Sequence, residues 1–174
     1  KTAVRTPKEW RSMADSKTGS LVCSVMIAIG GLIGLISVFV VWVNGNGLTI
    51  TGIGIIYDYN NTLLALIGYR DLYILFIPLI VLSFSASGLV NGSMLAVRKT
   101  NRGGAGIAIY GAIMLLATVV FIMYSRPITT ECMFYMSDYI SIGVYMAVAG
   151  GILMMVFGAL KVALRRTSKK AEGK

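Results

Sequence analysis

The residue with the most chemical capacity inside an apolar stretch of this chain is Asn91, which shares its stretch with Ser83, Ser85 and Ser87. In a bilayer a serine can return its hydrogen bond to its own helix. An amide there is expected to need a partner on a neighbouring helix, or a water or solute path to line, and structural glue is its ordinary use. The thiols are Cys23, at the start of the first apolar run, and Cys132, in a later loop on the opposite side, so one chain cannot join them and no disulfide framework is expected. Histidine is absent from the chain, and no acidic or basic residue stands in the middle of an apolar run. Haem and metal centres draw on imidazole or thiolate, proton-coupled transport on an embedded carboxylate or imidazole, and nucleophilic catalysis on a nucleophile with a base. The expectation is therefore a protein that is not an enzyme, with no catalytic residue, no cofactor and no metal. Gly103-Gly104-Ala105-Gly106 follows a basic turn and not a β-strand, which suits the entry to a helix better than a phosphate loop.

The elements that must hold these residues are set by the solvent. Apolar residues make up 56% of the 174 residues and charged residues 13%, and the mean hydropathy is +0.78; a soluble domain carries roughly 25% charge. Lipid is the solvent this composition fits. Four stretches whose interiors lack Asp, Glu, Lys and Arg reach the length needed to cross hydrocarbon: Leu21–Val43, Leu72–Val97, Gly106–Tyr124 and Tyr139–Leu160. The first is too long for the apolar region of a cleaved signal. With nearly all residues in spans and short connections, residues 1–174 are expected to form one all-α membrane domain, a four-transmembrane-helix bundle.

Charge gives the expected orientation. Basic residues concentrate before the first span, between the second and third spans at Arg98, Lys99 and Arg102, and after the fourth at Lys161, Arg165, Arg166, Lys169, Lys170 and Lys174. Those segments are expected in the cytoplasm and the loops 44–71 and 125–138 outside. The formal net charge of +9 sits at membrane edges and lacks the interleaved aromatics of a nucleic-acid surface, so lipid headgroups and not nucleic acid are the expected partners, with Arg165, Arg166, Lys169 and Lys170 as the headgroup contacts.

Local signals fill in the ends. Thr6-Pro7-Lys8-Glu9 combines a cap, a proline at the first helical position and a glutamate three residues after the cap, and predicts a short amphipathic helix on the inner leaflet. Asn44-Gly45-Asn46-Gly47 predicts a turn that stops the first helix. Beyond it, Leu48, Ile50, Ile53, Ile55 and Tyr57 alternate with small or polar residues and slip at Gly52, which predicts a strand or hairpin with a bulge. Thr62–Gly68 predicts an interfacial helical turn, Asn60-Asn61-Thr62 is a glycosylation sequon, and Trp42 with Tyr57, Tyr59, Tyr69, Tyr73, Tyr124, Tyr135 and Tyr139 forms an expected outer aromatic belt.

Each span also carries small residues four apart: Gly30 and Gly34, Gly88 and Gly92, Ala108 and Ala112, then Gly143, Ala147 and Gly151. Such stripes let backbones approach closely, within the chain or against other subunits. A four-span chain with Trp42 ending the first helix, followed by a first loop of β-structure, resembles the claudin-type tetraspans and small prokaryotic tetraspans, and the expected setting is a prokaryotic cytoplasmic membrane. The claudin loop signature is incomplete here, since Gly47-Leu48 is followed by Thr49 and the first loop has no Cys. The functional expectation is a non-catalytic accessory or structural subunit packing against other membrane proteins or its own copies. The alternatives are a small oligomeric transporter or channel and a claudin-like adhesion protein.

Overall fold

The computed structural model describes residues 7–45, 48–57, 76–98, 103–124 and 140–172, with side chains over 17–44, 49–57, 76–98, 103–123 and 140–167. Its elements are α1 (Pro7–Phe39), β1 (Val41–Gly45), β2 (Leu48–Thr51), α2 (Gly52–Tyr57), α3 (Phe76–Val97), α4 (Gly104–Tyr124) and α5 (Ile142–Glu172). Four of the helices contain a segment long and apolar enough to cross a membrane: Lys17–Phe39, Phe76–Val97, Gly104–Met123 and Ile142–Thr167. The chain is a four-span helical membrane protein with a small antiparallel sheet after its first span.

Neighbouring helices run antiparallel, and glycines decide where they meet. α1 packs against α3 and α5, and α4 closes the ring against the same two. A methyl at Gly31 would lie 2.8 Å from the Ser85 carbonyl oxygen, and one at Gly92 2.7 Å from the Ala28 amide nitrogen, so α1 and α3 touch backbone to backbone. The same holds between α1 and α5, where a methyl at Gly150 would meet the Gly30 carbonyl oxygen at 2.7 Å. Between α4 and α5 the close approaches are at Gly111 and Gly158. Lipid gives apolar helices no hydrophobic reason to associate, so this van der Waals contact is what holds the bundle. At mid-height Met114 and Met154, both fully buried, fill the space beside Gly34 and Gly88. Flexible thioethers suit such irregular gaps.

One end of the bundle differs from the sequence reading. α1 stops at Phe39, earlier than the expected Val43, and Val41-Trp42-Val43 enters β1. β-Branched and aromatic residues favour this extended backbone. β1 and β2 pair as an antiparallel hairpin, with Val43 opposite Ile50 and Asn44 opposite Thr49, while Asn46-Gly47 lies outside the described residues. The register shifts between Val41 and Val43, an irregularity at Trp42 of the kind that re-aims a side chain. Trp42 is consequently a core residue with no exposed surface and not a belt residue. Its Nε1 donates to the Ser37 carbonyl at 2.7 Å, one of the carbonyls freed where α1 ends, and its ring meets Phe121 edge-on at 5.1 Å. The Ser141 amide donates to the Trp42 carbonyl at 2.9 Å, which ties the hairpin to the start of α5. Ile53, Ile55 and Tyr57 are in the short helix α2, not in a strand; Tyr57 is 82% exposed, as a belt residue would be. Thr62–Gly68, the sequon, Cys132 and the tyrosines at 59, 69, 73, 135 and 139 lie outside the described residues.

The opposite end carries the basic residues. α1 begins at Pro7, where the cap signal lies, but runs unbroken into the first span and does not form a separate helix. Gly103, with φ +95°, makes the left-handed step that starts α4 at Gly104. α5, at 31 residues, measures about 46 Å at 1.5 Å per residue. It therefore projects past the roughly 30 Å of a hydrocarbon core.

Candidate functional site

Two polar groups stand out from this frame, and they face opposite ways. The first is Lys161. The sequence reading places it in the basic tail, yet in the structure its side chain is 1% exposed and turned into the bundle. The cause is helical phase. Along α5 the buried positions are Gly143, Val144, Ala147, Gly150, Gly151, Met154 and Gly158, and the next step of that stripe is Lys161. Gly158 allows α4 to come close, so that a methyl on Gly104 would be 3.1 Å from the Lys161 Cβ, and the long lysine stem is enclosed.

The Lys161 Nζ donates to the Ser24 Oγ of α1, across 137 residues of sequence. Ser24, with no exposed surface, in turn donates from Oγ to the Ser20 carbonyl at 2.8 Å, and Cys23 is buried beside it. Ser24 lies seven residues into the span that begins at Lys17, about 10 Å along the helix. The expectation that Lys161 belongs to the basic tail beyond the fourth span is therefore corrected: it lies within the span and is buried. A serine bonded to a lysine amine raises the chemistry of a nucleophile with its base. The arrangement also has a purely structural use: the amine is placed to donate to the hydroxyl and the hydroxyl to the Ser20 carbonyl of its own helix. Both side chains are buried. What the pair does physically is join the first helix to the last with a charge-assisted hydrogen bond, removing part of the cost of enclosing the ammonium.

The second group is Asn91. It is exposed, on the surface of α3 that faces away from α1, α4 and α5. Its Nδ2 donates to the Ser87 carbonyl of its own helix at 2.8 Å, and among the described residues it makes no bond to a neighbouring helix of the bundle. Ser83 is exposed one turn before Ser87, which is partly exposed, and the three polar residues form a ridge four residues apart. The sharply buried serine of this stretch is Ser85, whose Oγ donates to the Met114 Sδ at 3.3 Å. Among the described residues every buried side-chain nitrogen and oxygen has a hydrogen-bond partner, and no group of His, Cys, Asp and Glu is placed to hold a metal.

The structure puts Gly30, Gly34, Gly88, Gly92, Gly143, Ala147 and Gly151 in the buried interior, and Ala108 half-buried against Gly158. Ala112 is exposed and lies outside the helix contacts that Gly111, one residue earlier, makes with α5. Gly31, Gly111, Gly150 and Gly158 complete those contacts; adjacent glycines differ by about 100° of helix phase, and spacing alone does not say which faces inward. Of the headgroup candidates, Arg166 is exposed and Arg165 partly exposed near the free end of α5, while Lys169 and Lys170 continue the same helix with side chains outside the description. No protein-family model, no curated protein and no solved structure matches this chain, so its class rests on its own geometry, that of a four-span membrane bundle.

Proposed function

We propose that this chain is a non-catalytic subunit of a membrane assembly, with both termini cytoplasmic, working through the surfaces it turns outward in the bilayer. One observation carries the reading: the bundle interior is occupied by backbone contacts and by a lysine tied to a serine, while the polar capacity left over, Asn91, points out of the bundle. A polar side chain on a lipid-facing surface is costly unless it finds a partner, and partners in the bilayer are other helices. Arg165, Arg166, Lys169 and Lys170 then lie at anionic headgroups of the inner leaflet, which fixes the depth of α5.

Extraction in mild detergent followed by mass spectrometry tests the reading. A stoichiometric partner or self-associated species is expected, and a lone monomer at all protein concentrations overturns it. Orientation is read separately, with a membrane-impermeant thiol reagent that labels Cys132 and spares Cys23 in intact cells.

A claudin-like role at the outer face is supported by the hairpin locked over the first span, and predicts cell clustering that disappears when Leu48–Tyr57 is replaced. A transporter formed by an oligomer would have to place its path between copies, since Asn91 does not line the interior of one chain.

A further inference from the structure

We infer that α3 is the seam of a two-fold homodimer, in which Ser83, Ser87 and Asn91 of one chain face the same residues of a second copy. The inference rests on the reading above and names its partner. α3 is the least enclosed of the four spans. Its buried side is Ile77, Val81, Ser85, Gly88 and Gly92, and its outward side is Phe76, Leu79, Ser83, Val90, Asn91 and Met94. Asn91 stands six residues before the end of the helix at Val97, about 9 Å along the axis, and its neighbour Gly92 meets Ala28 midway along the first span.

Its amide is only part used. One Nδ2 hydrogen goes to the Ser87 carbonyl. A carboxamide has a second N–H and an oxygen acceptor to offer, and among the described residues no partner for either is present. That remainder, one donor and one acceptor, is self-complementary: two such amides can exchange a pair of N–H···O bonds.

Membrane insertion makes a second copy the natural occupant. Two chains inserted with one orientation that pair through the same face are related by a two-fold axis along the membrane normal, so every seam residue meets its own counterpart at its own depth. A different partner would have to present an amide or hydroxyl at the depth of Asn91; a second copy does so by construction. Ser83 and Ser87 continue the ridge as small side chains that let the two helices approach.

The test uses the full chain in liposomes. In a background with Cys23 and Cys132 replaced by Ser, Ser83→Cys or Ser87→Cys should form a disulfide-linked dimer on mild oxidation, and Leu116→Cys on the exposed side of α4 should not. Asn91→Leu should lower self-association, read by energy transfer between labelled chains on dilution in lipid, by roughly three- to thirty-fold. The thermal unfolding of Asn91→Leu in detergent should match the parent, showing that the loss is one of pairing and not of folding. Cross-linking at Leu116→Cys equal to that at Ser87→Cys, or energy transfer unchanged in Asn91→Leu, overturns the seam. A monomer that still co-purifies with a different membrane protein overturns self-pairing and leaves the subunit reading standing; a monomer with no partner overturns both.

Discussion

Lys161 and Asn91 are both polar side chains in apolar helices, and the bundle treats them in opposite ways. Lys161 carries the costlier group and is enclosed, bonded to a serine that is bonded to its own helix. Asn91 carries the cheaper group and is left on the outside with one donor and its acceptor oxygen unspent. The difference teaches that position around the helix, more than polarity, decides whether a group serves the fold or its surroundings. Changes near Lys161 should therefore alter the stability of one chain, and changes near Asn91 the association of several.

The largest effect should come from the glycine contact that joins α1 to α5, the two helices that Lys161 and Ser24 also tie together. Gly150→Leu drives a side chain into the backbone of α1 at Gly30 and Gly34 and should cost about 3 kcal/mol or more, measured by unfolding in a mixed detergent titration; an unchanged midpoint would show that α1 and α5 do not meet there. Next comes the polar tie. Ser24→Ala leaves the ammonium without its acceptor and should cost about 2 kcal/mol, whereas Lys161→Met in the same background should restore most of that loss, because a methionine of similar length needs no partner. If the double variant is as unstable as Ser24→Ala, the hydrogen bond is not the source of the effect. Trp42→Phe keeps an aromatic ring against Phe121 but deletes the bond to Ser37, for an expected loss of about 1 kcal/mol, with the hairpin becoming more open to protease before the spans do. The smallest effect belongs to the outward surfaces: Asn91→Leu and Ala112→Leu should each leave the unfolding midpoint of the isolated chain within about 0.5 kcal/mol of the parent, and a large loss from either would mean that its side faces the bundle after all.

The sequence shows the spans and their number because a long run without charge has few other uses. It also shows that Pro7 starts a helix and that the first helix has stopped before Asn44-Gly45. It does not show that Trp42 is inside, since a tryptophan at a span end reads as a belt residue and only the register shift in β1 turns it inward. Lys161 is misplaced for a related reason: as the first member of a basic cluster it reads as tail, although counting threes and fours from Gly143 along α5 reaches it on the buried side. Asn91 is visible as an amide in a span but its direction is not, because α3 is apolar on nearly every side. Gly30 and Gly31 are indistinguishable as letters, and both turn out to touch a neighbour, one α5 and the other α3.

The pairing of the first helix with the last has a consequence in time. A chain entering the membrane from its N-terminus exposes α1 long before α5 has been synthesised, and Gly30, Gly150, Ser24 and Lys161 find their counterparts only when the final span arrives. Until then α1 has α3 to lean on, through Gly31 and Gly92, while the side intended for α5 faces lipid or the insertion machinery. A ribosome stalled after α4, or a chain truncated before Ile142, should accordingly present an open notch along α1, and such fragments should be the ones that quality-control proteases remove first.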